Sequence, residues 1–139
     1  MADLVPLIRV RRHAIEQKQK FLATLYAQAE ELKNQRDTLE TQLAIEGEKT
    51  KEMGAEMMQF FAPYADSARA RIEEIDEDRE RLEKRIEVAQ NEMRDAFAEL
   101  KKIEIIDDRR AQEELAELEK REAEFLDEIG IDGFRRGAN

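Results

Sequence analysis

Any chemistry in this chain would have to come from one histidine, a few hydroxyls and a large excess of carboxylates. His13 is the only histidine, cysteine is absent, and Asp and Glu number 34 against 24 Lys and Arg. A metal centre needs histidines or thiolates beside converging acids. His13 has neither, so it reads as a solvated surface residue. No grouping of Ser, His and Asp, or of Cys and His, supplies an activated nucleophile. Carboxylates on a solvated helix lack the desolvation that tunes a catalytic acid. Gly47, Lys49 and Thr50 share residue types with a phosphate loop, but the glycine and lysine spacing is wrong and no strand precedes them. The chain is therefore read as not an enzyme, with no catalytic residue, metal or cofactor.

What the spacing does specify is helices that need a partner. Ile15, Leu22, Leu25, Ala29, Leu32, Leu39, Leu43, Met53, Met57 and Phe60 recur three and four apart in the first half. Ile72, Ile75, Leu82, Ile86, Ala89, Met93, Ala96, Leu100 and Ile103 repeat the pattern in the second. A seven-residue repeat keeps one seam on a partner helix, as in a left-handed coiled coil. The fold class read from it is all-α, a long antiparallel two-helix coiled-coil hairpin with its bend near Pro63. Proline lacks an amide and restricts the residue before it, so Pro63 is where a continuous helix would be interrupted.

Matching the two heptad frames fixes an expected register. Glu46 faces Arg79, Lys18 faces Asp107, and bulky Met57 and Phe60 face small Ala68 and Ala65. Arg36 finds no acid there but lies opposite small Ala89, which leaves room for its aliphatic stem. A slip of one heptad sets Glu46 against Ile72 or Ile86, leaving a seam charge unpaired. Toward the termini the seam shifts to Leu7, Val10 and Ala14, paired with Ala111, Leu115 and Leu118.

In this reading the chain is a single hairpin over residues 1–129, with arms of about 4–61 and 64–129 and a short tail, 130–139. Each arm would span roughly 85 to 100 Å at ~1.5 Å per residue, making a rod. Asp3 caps the first helix, and Asp66 and Ser67 cap the second, which Gly130 ends. Gly47 and Gly54 weaken the distal part of the first arm, where fraying or a bend is expected. The register leaves about 8 residues of the second helix, roughly 12 Å, extending past the first.

Composition narrows the function. Charged residues make up 42% of the chain and tryptophan is absent, so a seam rather than a deep pocket is expected. A net charge of −10 argues against nucleic-acid binding, which relies on accumulated Lys and Arg, and favours basic protein partners. No apolar run reaches the roughly 18 to 20 residues of a membrane span, and no signal-type core opens the chain. Direct membrane insertion is not expected, the mature chain is read as the whole chain, and the cytoplasm is the default compartment.

Two places carry more apolar surface than a seam needs. Around the bend, Met58, Phe61 and Tyr64 lie off the seam and are candidate partner contacts. Met53, Met57 and Phe60 are assigned to packing the tip. At the other end, Phe125, Leu126, Ile129, Ile131 and Phe134 precede Arg135 and Arg136. They read either as a binding site or as a cap folded over Leu4, Val5 and Ile8.

The run Leu7-Ile8-Arg9-Val10-Arg11-Arg12-His13-Ala14-Ile15-Glu16-Gln17-Lys18-Gln19-Lys20, with Phe125-Leu126-Asp127-Glu128 and Phe134-Arg135-Arg136 at the end, resembles flagellar type III export stalk proteins, the FliJ-like family. Length and hairpin layout match over the chain. The resemblance implies a soluble, non-catalytic component of the flagellar export apparatus, similar to the rotor stalk of rotary ATPases. It implies that the end bearing both termini engages a hexameric export ATPase, through Arg9, Arg11, Arg12, Phe125, Asp127, Glu128, Phe134, Arg135 and Arg136. It further implies an export gate membrane protein and export chaperones as partners, and a peripheral place at the membrane export machinery. Met58, Phe61 and Tyr64 are the residues assigned to the gate or another partner. The alternative is a generic coiled-coil adaptor or spacer.

Overall fold

A computed structural model describes the backbone from residue 3 to residue 138, and the side chains over that range except those of Asp132, Phe134, Arg135, Arg136 and Ala138. The described residues form two α-helices and no strand. Helix α1 is Val5–Met53 and helix α2 is Ala55–Ala138. The chain divides into two compact units, Ala14–Asp95 and Met1–His13 with Ala96–Asn139.

In the Ala14–Asp95 unit the heptad seam becomes a core. Leu22, Leu25, Leu82 and Ala89 are buried together, with Ala29, Leu32, Ile86 and Met93 packed against them. Leu25 and Ile75 are sealed from solvent, and each contributes about 1.5 to 3 kcal/mol of transfer free energy. Ile15, Ala65 and Ala68 are also buried. Among the described residues of the other unit, the buried apolar ones are Ile8 and Leu100.

Cross-helix polar contacts show the antiparallel direction and the register. Within Ala14–Asp95, Lys18 Nζ lies 3.8 Å from Glu92 Oε2. Gln90 Nε2 donates to the Tyr26 hydroxyl at 2.7 Å, and Arg36 Nε donates to Asp76 Oδ1 at 2.7 Å. In the other unit Arg12 Nη2 donates to Glu104 Oε1 at 3.1 Å. As numbers rise on α1, partner numbers fall on α2. The antiparallel helical hairpin is as the heptads require, but its register is displaced. Lys18 meets Glu92 instead of Asp107. Glu46 pairs with Lys49 on its own helix, and Arg79 with Asp76. Arg36 is the decisive residue, because the observed register brings it Asp76 from α2, beside Glu40 on its own helix. The hydrogen bond to Asp76, with desolvation opposing it, holds the guanidinium pKa above its ordinary value.

The bend follows the register. The helical break sits at Gly54, and Pro63 lies inside α2. Gly54 has φ +100°, a left-handed backbone that glycine adopts without a Cβ penalty. Its N–H still reaches the Thr50 carbonyl at 3.2 Å, closing α1 with a left-handed cap. Pro63 lacks the N–H that would bond the carbonyl of Gln59 and crowds that carbonyl with its ring, a cost the exposed helix absorbs because the carbonyl is open to water. Asp66 and Ser67 are consequently inside α2 and cap nothing, and α2 passes through Gly130 to Ala138. At the start, Asp3 Oδ1 accepts from the Val5 N–H at 3.1 Å, the cap expected from the sequence.

The terminal and tip extensions of the seam change with it. Leu7 and Val10 are exposed while Ile8 between them is buried, and Leu115 and Leu118 are exposed. Met53, Met57 and Phe60 are exposed rather than packed in the tip.

Candidate functional site

Every described side chain from 111 to 131 on α2 is exposed. The segment is helical on local grounds: it is rich in Ala, Leu and Glu, and Arg121 Nη2 donates to Glu117 Oε1 at 2.8 Å in the favourable i to i+4 order. Leu115, Leu118, Phe125 and Ile129 fall on one face at helical spacing, with Leu126 at its edge. Phe125 is 63% exposed and Leu118 51%. Eight acids and two bases occupy the same 21 positions. A contiguous apolar stripe in acidic surroundings is the kind of surface on which docking can occur, with burial supplying attraction and the acids favouring a basic partner.

Arg9, Arg11 and Arg12 are exposed in the opening turns of α1. Arg12 is held by Glu104. Phe125, Asp127 and Glu128 are exposed on α2, and from Glu104 to Phe125 that helix rises about 30 Å at ~1.5 Å per residue. The α1 arginines and Phe125 are therefore not one cluster. The side chains of Phe134, Arg135 and Arg136 lie outside the described residues, and a cap over Leu4, Val5 and Ile8 is not formed by Phe125, Leu126 or Ile129, which stay exposed. The exposed run starts at residue 111 and is longer than the overhang of about 8 residues expected from the sequence, because the register moved. Leu115 and Leu118 were missed as contact candidates for the same reason: an internal seam and a docking stripe have identical spacing, so only the register tells them apart.

The second surface surrounds Gly54. All residues from 51 to 60 are exposed, and Phe60, at 74%, is the most exposed aromatic side chain described. Met58 and Tyr64 are exposed, but Phe61 is half-buried. Its ring lies over Gly47, 3.5 Å from where a Cβ would stand, and 6.1 Å from the Tyr64 ring at a tilted 47°. Phe61 thus braces α2 on α1, while Met58, Phe60 and Met53 project.

No group of three or more His, Cys, Asp or Glu among the described residues could hold a metal. No described helix is long and apolar enough to cross a membrane. Two long helices joined at a glycine, with a stripe left uncovered on the second, can bind and position other proteins. The family model described as Flagellar FliJ protein matches residues 1–139. The chain belongs to that family. FliJ proteins are components of the flagellar export apparatus, and the family is a structural, non-enzymatic one. Comparison with curated proteins and with solved structures found no match.

Proposed function

We propose that this FliJ-family chain is a coiled-coil stalk that engages the hexameric export ATPase, couples it to the export gate and assists substrate delivery with export chaperones. The observation that carries the reading is the uncovered stripe of α2, Leu115 to Ile129, whose apolar face and acidic flanks suit insertion among protein subunits. Arg9, Arg11, Arg12, Phe125, Asp127, Glu128, Phe134, Arg135 and Arg136 contact the ATPase in this reading. Met58 and Tyr64, with Phe61 as their support, contact the gate. The protein works in the cytoplasm at the periphery of the membrane machinery.

A single asymmetric chain in a six-fold ring touches the subunits unequally. It alters turnover only by binding one subunit conformation better than another. Exchanging Phe125 and Phe134 for Ala is expected to weaken binding to the export ATPase by about tenfold or more, as loss of two aromatic anchors does, with helicity unchanged by circular dichroism. Undiminished binding by the double variant contradicts the assignment.

A further inference from the structure

We propose that the start of α1 in one copy docks on the exposed stripe of α2 in a second copy, reciprocally, forming a two-fold dimer. Both surfaces belong to the unit Met1–His13 with Ala96–Asn139. On α1, Leu7 and Val10 are exposed, Val10 to 64%, on either side of buried Ile8. On α2, Leu115 and Leu118 are exposed. Neither apolar pair is covered by the chain's own fold.

Charge names the occupant. Residues 5–12 hold three arginines and no acid, whereas residues 111–131 hold eight acids and two bases. Arg9 and Arg11 make no ion pair among the described residues. A uniformly acidic face would repel its own copy, but a basic face and an acidic one in the same unit are complementary between copies. Spacing agrees. Leu7 to Val10 and Leu115 to Leu118 are each three residues, so Leu7 meets the partner's Leu115 and Val10 meets the partner's Leu118.

Direction agrees too. Helix α2 is antiparallel to its own α1, and a two-fold axis across the helices reverses it again, so the partner's α2 runs parallel to α1. In that arrangement Arg11 flanks the partner's Glu114, an attractive pair across the seam. Each copy contributes both surfaces, so the contact is isologous and closes at two copies.

Two measurements on the full chain test this without the export ATPase. Sedimentation equilibrium from low to high micromolar concentration is expected to show the mass rising from 16.3 kDa toward twice that value. Leu118→Asp is expected to raise the dissociation constant by about tenfold or more with the circular dichroism spectrum unchanged. Because the chain has no cysteine, Val10→Cys and Leu118→Cys placed in separate copies and mixed are expected to give a mixed disulfide dimer, formed faster than either variant links to itself. A monomer at every concentration overturns the proposal. So does self-linking of either single variant as fast as the mixture, or closure of a Val10→Cys, Leu118→Cys double variant within one chain.

Discussion

Gly54 and Pro63 look alike as helix breakers in a sequence, yet only one of them turns this chain. Gly54 stands at φ +100°, so Gly54→Ala is expected to cost about 1 to 2 kcal/mol, the penalty of a Cβ in left-handed backbone. Pro63 sits inside α2, where restoring the amide is expected to stabilise by up to about 3 kcal/mol. Urea unfolding of Gly54→Ala and Pro63→Ala therefore moves in opposite directions. Loss of stability in Pro63→Ala with none in Gly54→Ala would put the bend back at the proline.

Arg36 supplies a second residue-scale test. Its pKa is raised, so its stabilising effect is full below the unfolded guanidinium value and is lost only as pH rises through the folded one. Neutral-pH stability is accordingly insensitive to its titration. A double-mutant cycle of Arg36→Gln with Asp76→Asn is expected to show coupling, and a cycle of Glu46→Gln with Arg79→Gln none. The reverse result would restore the register read from the heptads alone.

At the scale of the helices, the same leucine does different work on the two sides of residue 110. Leu25 is sealed in the core and Leu118 is exposed on α2. Leu25→Ala is expected to cost about 2 to 5 kcal/mol of folding stability. Leu118→Ala is expected to stay within about 0.5 kcal/mol at concentrations where the chain is monomeric. Equal losses in thermal unfolding would mean that a second element covers Leu118.

This contrast also marks how far the sequence could be read. Helix content, antiparallel pairing and the seam residues Ile15 to Leu43 and Ile72 to Ile103 follow from periodicity, because burial repeats every three or four residues whatever the register. The Asp3 cap was legible from one side chain. The register was not. Heptads tolerate slips of seven, and the choice among them rested on a few seam charges that find other partners, Glu46 on Lys49 and Lys18 on Glu92. Once the register moved, Leu7, Val10, Leu115 and Leu118 changed from seam to surface. Gly54 was legible as a weak point, but its left-handed backbone was not.

For the whole molecule, a net charge of −10 and family membership over residues 1–139 point to work done by contact with other proteins of the export apparatus. In the two proposals the exposed stripe of α2 has two claimants, a second copy and the export ATPase. Binding of one removes the surface available to the other, so dimerisation would hold the stripe in reserve until the ATPase displaces it. The decisive measurement is ATP hydrolysis by the same organism's flagellar export ATPase across a titration of this protein, at concentrations where sedimentation shows a monomer. Saturable stimulation by the full chain, weakened in the Phe125→Ala, Phe134→Ala variant, is the expected result. A flat titration with no binding would contradict the stalk and leave a coiled-coil adaptor.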